Sequence, residues 1–235
     1  MCYFVEINLP RAELAKRFGV NVPEDPRYTP GFFHSAFTRP YLPVITNHNP
    51  DEVQFFRWGL IPSWVKDEET AEKILNGTFN AKSETIWEKP SFRHAATHQR
   101  CIVASHGFFE WHTEGKKKTP YYIKRKDDKP FAFAGLYENW TNKQTGELLQ
   151  TFSIITTPAN RMLEKIHNLK KRMPAILPLE TEKEWISNSL SRAELSRILN
   201  PLPDELLTAW PVSGKKLYRL ADISDPSVIE PCDPL

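Results

Sequence analysis

Four apolar runs in the middle of the chain constrain its fold most. They are CIVASHGFFEWH (101–112), YYIKRK (121–126), PFAFAGLYENW (130–140) and LLQTFSIITT (148–157). Each is rich in β-branched and aromatic residues, and short Lys/Asp/Gly-containing turns separate them, with TGE (145–147) fitting a hairpin turn. Runs this dense and this close together predict successive strands, so any fold for the chain is built around a sheet. The 20 prolines against 9 glycines point the same way, toward many strand ends and rigid turns rather than Gly-rich nucleotide loops.

The flanks supply further strands and short helices. CYFVEIN (2–8), LPVIT (42–46), EVQFFRW (52–58) and MPAIL (173–177) read as strands. PRAELAKRF (10–18), KDEETAEKILN (66–76), PANRMLEKIH (158–167), TEKEWISN (181–188) and RAELSRIL (192–199) read as helices, with Pro10 and Pro158 as first-turn prolines. Residues 21–40 read as loop. The fold class expected is α+β: a single β-rich domain, its sheet antiparallel or mixed and barrel-like, with short peripheral helices. The domain is placed at 1–220 and an irregular Asp/Pro-rich tail at 221–235.

Composition excludes several function classes. No apolar run approaches the ~20 residues of a membrane span, and the first ten residues lack the basic and apolar regions of a signal peptide. A cytoplasmic protein is expected. Cys2, Cys101 and Cys232 are too few and too scattered for a disulfide framework or a zinc site, so no metal or other cofactor is expected. The net charge of +2 means that any nucleic-acid contact needs a local patch.

Five constellations carry candidate chemistry. Cys2 follows Met1 directly, and removal of Met1 would leave thiol and α-amine on one residue. An α-amine titrates at ~7.7–8.0, so roughly a tenth or more is free base at neutral pH, far more than for a lysine. Such a 1,2-aminothiol attacks an aldehyde twice, giving an imine and then a five-membered thiazolidine. The alternative is a small apolar residue in an edge strand. In FNAKSET (79–85), Asn80 could orient an amine or an oxyanion, or the segment is a capping turn. Glu110, inside SHGFFEWH, is an acid/base candidate if its strand turns it inward, where desolvation raises a carboxyl pKa; alternation permits the wet face equally. In IHNLKKRMPAIL, His167 could shuttle a proton, and Lys170, Lys171 and Arg172 could bind phosphate; the alternative is a satisfied loop histidine beside a solvated charge run. In RWGLIPSW, Arg57, Trp58 and Trp64 could pair phosphates and stack unpaired bases, or the tryptophans belong to the core.

Taken in order, MC, RWGLIPSW, NAKSET, GFFEWH, AGLYENW and IH…RMPAIL resemble the SOS response-associated peptidase (SRAP) family over about residues 1–214. The resemblance implies that fold and a protein that processes abasic sites in single-stranded DNA. It implies loss of Met1, by autoproteolysis or an aminopeptidase, and a covalent thiazolidine crosslink from Cys2 to the lesion aldehyde. It implies that Asn80 orients the N-terminus, Glu110 is the acid/base and His167 assists imine formation and reversal. Thr156 and Lys82 would contact phosphate, as would Arg172, with Lys171 the alternative. The chain departs from the usual MCGR start: here Tyr3 and Phe4 follow Cys2. The expected partner is abasic single-stranded DNA, acted on by a monomer at the bacterial nucleoid. Two other classes are compatible with the same residues: an N-terminal thiol peptidase or amidohydrolase, and a non-covalent single-stranded-DNA-binding module.

Overall fold

A computed structural model describes residues 2–218 and 223–233; Met1, the expected domain boundary at 220 and parts of the expected tail lie outside the described residues. In chain order the elements are β1 (Phe4–Ile7), α1 (Arg11–Phe18), β2 (Gly31–Ser35), β3 (Tyr41–Thr46), β4 (Gln54–Trp58), α2 (Glu68–Leu75), β5 (Asn80–Lys82), α3 (Arg93–His98), β6 (Arg100–Ser105) and β7 (Gly107–Glu114). They continue with β8 (Lys117–Arg125), β9 (Phe131–Thr141), β10 (Leu148–Pro158), α4 (Arg161–Ile166), β11 (Arg172–Pro174), β12 (Ile176–Leu177), α5 (Glu182–Trp185), α6 (Arg192–Ile198), β13 (Leu207–Pro211) and α7 (Gly214–Tyr218). The result is one β-rich α+β domain, as expected.

The central strands close on themselves. Pairing runs β10–β4–β3–β6–β9 and returns to β10, a closed barrel that leaves none of these five strands as a free edge. Only the β10–β4 pairing in this ring is parallel. Trp58, Phe133 and Phe152 are fully buried in the core that the barrel organises. A second, antiparallel sheet runs β2–β1–β7–β8–β13. Its own cluster of Phe109, Tyr122, Val212, Leu217 and Val228 is closed over by the C-terminal segment. Among the described residues no helix is long and apolar enough to cross a membrane.

Residues 101–112 prove to be two strands in different sheets rather than one. The chain turns a corner at Ser105–Gly107, where the Ser105 hydroxyl lies 3.0 Å from the carbonyls of both Glu6 and Gly107, its one proton shared between them. Gly107 is required there: a Cβ would lie 2.3–2.5 Å from the Tyr122 ring and hydroxyl. The helix expected over 158–167 starts later. Pro158 ends β10, and Asn160 caps α4 by accepting from the Leu163 N–H at 2.9 Å. Within 21–40, expected as loop, β2 pairs with β1. MPAIL splits into β11 and β12. The expected irregular tail contains a 3₁₀ turn over Pro226–Ile229 and a bridge from Pro231 to Val212.

Candidate active site

The two halves of β10 do different work. Residues 148–154 pair with β9 in the barrel, and the second half holds β5 on one side and β11 on the other. The parallel register sets Ile154 opposite Asn80 and Thr156 opposite Lys82, while Thr156 faces Pro174 across the other edge. NAKSET, expected as a polar turn, therefore begins as a short strand, and its first residue is aimed at the chain start. The Asn80 Nδ2 donates to the Cys2 carbonyl at 2.8 Å. Its Oδ1 is buried and has no partner among the described residues.

Cys2 itself is fully buried, immediately ahead of β1, which pairs with β7 through Phe4–Phe109 and Val5–Phe108. Burial pushes its thiol far above the ordinary range, and nearby Glu110 adds to the effect. At neutral pH that sulfur is a thiol, not a thiolate.

Glu110 turns inward on β7 and is 3% exposed. Burial raises its carboxyl pKa to about 8, so that the protonated form predominates at pH 7. His167 closes the C-terminus of α4. Its Nδ1 lies 2.9 Å from the Arg172 carbonyl, which can only accept, so Nδ1 carries the proton and Nε2 keeps its lone pair. Burial, helped by Lys170 and Arg172, lowers the imidazole pKa to about 4. Nδ1 is also 3.6 Å from a carboxyl oxygen of Glu110. The usual order of ionisation is thus inverted: here the carboxyl is protonated and the imidazole neutral. Environments that push two groups apart in this way are the pattern of acid/base pairs.

The segment after His167 is clasped from outside the motif. Asn168 accepts from the Thr113 N–H at 3.0 Å and donates to its carbonyl at 2.7 Å, tying the turn to β7. Lys171 takes a left-handed backbone (φ 49°), and its N–H returns to the His167 carbonyl at 2.8 Å. The five-residue step from His167 to Arg172 is accommodated in this turn. Sequence reasoning missed Asn168, which had no signal beyond its place beside His167.

The expected phosphate contacts separate into distinct situations. Arg172 makes a two-pronged pair with Glu84, its Nη2 at 2.9 Å from one carboxylate oxygen and at 2.5 Å from the Thr156 carbonyl. Thr156 is fully buried, and its hydroxyl accepts from the same guanidinium at 3.2 Å. Lys82 and Lys171 are exposed. Trp64 is 52% exposed, with its indole N–H on the Pro90 carbonyl at 3.1 Å, which leaves a ring face to solvent. Trp58 is core, its indole N–H on the Phe79 carbonyl at 3.0 Å. Arg57 is half-buried on β4 and does not line the cleft beside Glu110.

That cleft has a volume of about 460 Å³ and is walled by Tyr3, Phe4, Phe37 and Trp111, with Glu110, His167 and Lys170 among its lining. Phe37 is 59% exposed, and its ring centroid lies 5.2 Å from that of Tyr3. Phe4 stacks on Phe33 at 5.1 Å and meets Trp111 at 4.9 Å. Tyr3 and Phe4 therefore form an aromatic wall beside the acid/base pair.

Residues 1–216 match the SOS response associated peptidase (SRAP) family. The abasic site processing protein YoqW of Bacillus subtilis is 38% identical over 206 residues, covering 85% of this chain and 88% of that protein. The abasic site processing protein HMCES of Xenopus tropicalis is 31% identical, covering 67% of this chain and 51% of its own length. Among solved structures, a protein from Bacteroides thetaiotaomicron superposes with a TM-score of 0.92 at 41% identity, covering 98% of this chain and all of that one.

Proposed function

The chain belongs to the SRAP family, and we propose that it processes abasic sites in single-stranded DNA by forming a covalent thiazolidine through Cys2 once Met1 has been removed. The observation that carries the reading is the convergence on Cys2. Asn80 holds its carbonyl, and the protonated Glu110 and neutral His167 sit together at the adjoining cleft.

The chemistry follows from the protonation states. Hydrolysis of the Met1–Cys2 peptide bond frees the α-amine, and the buried Asn80 Oδ1 is an acceptor suited to orient it. The amine lone pair attacks the aldehyde carbon of the ring-opened sugar, giving a carbinolamine. Glu110 donates its proton to the departing hydroxyl, water leaves, and an imine remains. His167, with Nε2 unprotonated, is the base that takes the proton released by nitrogen. The Cys2 sulfur then adds to the imine carbon while its proton passes to nitrogen, closing the five-membered ring. Overall, aldehyde and aminothiol become thiazolidine and water. A thiol kept protonated by burial is a poor first nucleophile, so the amine attacks first and sulfur locks the product. The same burial disfavours the thiol-peptidase alternative, which needs a thiolate. Exposed Lys82 and Lys171 and the Trp64 face are suited to the flanking phosphates and bases.

The test is a denaturing gel of the purified protein with an abasic single-stranded oligonucleotide. The expected result is an adduct that survives denaturation, is absent in Cys2→Ala, and in Cys2→Ser persists only after borohydride reduction of the imine. An adduct that forms equally in Cys2→Ala, or none with wild type lacking Met1, refutes the reading.

A further inference from the structure

A second cavity shares no lining residue with the cleft at Glu110. It has a volume of about 510 Å³ and is lined by His48, Trp87, His98, Arg100, Asn188 and Arg192, together with Thr97 and two leucines, and no Asp or Glu contributes to it.

Its floor is a buried cation without a counter-ion. Arg100 is 2% exposed and donates to four carbonyls: Trp185 at 2.9 Å, Ala96 at 3.1 Å, Thr97 at 2.8 Å and Ser187 at 2.7 Å. Those contacts gather the C-terminal ends of α3 and α5, which gives Arg100 a structural use. They occupy four of the five guanidinium N–H groups. Carbonyl dipoles solvate the charge but do not neutralise it, and among the described residues no carboxylate pairs with Arg100. Buried charges are ordinarily paired. The wall repeats the imbalance. Arg192 is exposed at the rim, with its guanidinium 5.4 Å from the Trp87 ring centroid, and the Trp87 indole Nε1 is buried with no hydrogen-bond partner among the described residues.

From this juxtaposition of two guanidinium groups and an unpartnered indole N–H in a pocket without acids, we propose that the cavity binds a phosphate-bearing ligand of nucleotide size. The phosphate oxygens would accept from Arg100, Arg192 and the Trp87 N–H. The volume exceeds what an isolated phosphate fills, and the rings of Trp87, His48 and His98 offer flat faces for a base.

The test follows the Trp87 indole resonance in ¹H–¹⁵N spectra of the full chain, assigned through Trp87→Phe. The probes are inorganic phosphate, deoxyadenosine monophosphate, deoxyadenosine and a short single-stranded oligonucleotide without an abasic site. Saturable shifts are expected with at least one phosphate-bearing probe and none with deoxyadenosine. Arg192→Ala should weaken that binding about tenfold, the loss of one charge-assisted hydrogen bond, and Arg192→Lys should restore part of it. Saturation by the mononucleotide alone identifies a free nucleotide as the ligand, and saturation by the oligonucleotide alone identifies strand phosphate. No saturation by any phosphate-bearing probe, equal saturation by deoxyadenosine, or binding unchanged in Arg192→Ala overturns the proposal.

Discussion

Replacing Glu110 by Gln should make the protein more stable at neutral pH while slowing its chemistry. The Glu110 pKa is raised from 4.5 to about 8, chiefly by burial. The stability contributed by the held proton is fully present below about pH 4.5 and is lost progressively as pH rises toward 8, because the unfolded chain releases a proton that the folded chain retains. Each pKa unit is worth about 1.4 kcal/mol, so between pH 4.5 and 7 the wild type forgoes about 3 kcal/mol through this one group. Glutamine keeps the shape and cannot ionise. The expected gain is therefore near zero at pH 4.5, about 3 kcal/mol at pH 7, and flat above pH 8. Denaturant unfolding of both proteins across that range reads it directly. The crosslinking rate of Glu110→Gln should fall at every pH, since the amide cannot donate the proton that expels water. A Gln variant that is less stable at pH 7, or whose advantage does not change between pH 4.5 and 8, would falsify the claim that desolvation governs Glu110.

Three further outcomes are expected. Asn80→Ala leaves the Cys2 carbonyl unsatisfied in a buried place; it should cost about 1–3 kcal/mol in unfolding free energy and reduce the crosslinking rate without weakening single-strand binding measured by fluorescence anisotropy. Arg172→Lys keeps the charge but loses the two-pronged pair with Glu84 and the Thr156 contacts, so stability should fall by about 1 kcal/mol, and a double-mutant cycle with Glu84→Gln should show coupling. Phe37→Ala removes an exposed ring from the cleft wall; stability should change by less than about 1 kcal/mol, while abasic-oligonucleotide affinity, measured with a non-crosslinking Cys2→Ala background, should drop.

How much of this was legible beforehand depends on how local its cause is. β8, β9 and β10 lie close to their expected places, because one segment's composition announces a strand. The corner at Ser105–Gly107 was hidden for a physical reason. Residues 101–105 serve the barrel and 107–110 the second sheet, and every one of them is buried, so the apolar run continues across the break. β2 and β5 were missed because their strand character comes from distant partners. β5 is three residues long and pairs with β10 more than 70 residues away, and nothing in NAKSET alone favours an extended backbone.

The site shows the same division more sharply. Residue types at Cys2, Asn80, Glu110 and His167 suggested an aminothiol with an acid/base apparatus, but their protonation states depend on burial that no local pattern encodes. In β7 residues 107–110 are all enclosed, so strand alternation could not say whether Glu110 was wet. A solvated Glu110 would be a carboxylate at pH 7 and could not donate to a leaving hydroxyl. A solvated His167 would be partly cationic near neutral pH, so that fewer molecules would carry a free imidazole lone pair. Enclosure under the aromatic wall inverts both, and Tyr3 and Phe4 help build that wall, which gives the departure from the usual MCGR start a physical consequence. An alkaline decline in crosslinking with an apparent pKa near 8, present in wild type and absent in Glu110→Gln, is the kinetic form of that inversion. Substituting Phe4 with arginine should lower that pKa, since a nearby cation favours the carboxylate; an alkaline limb unmoved by Phe4→Arg would show that the wall has no part in setting it.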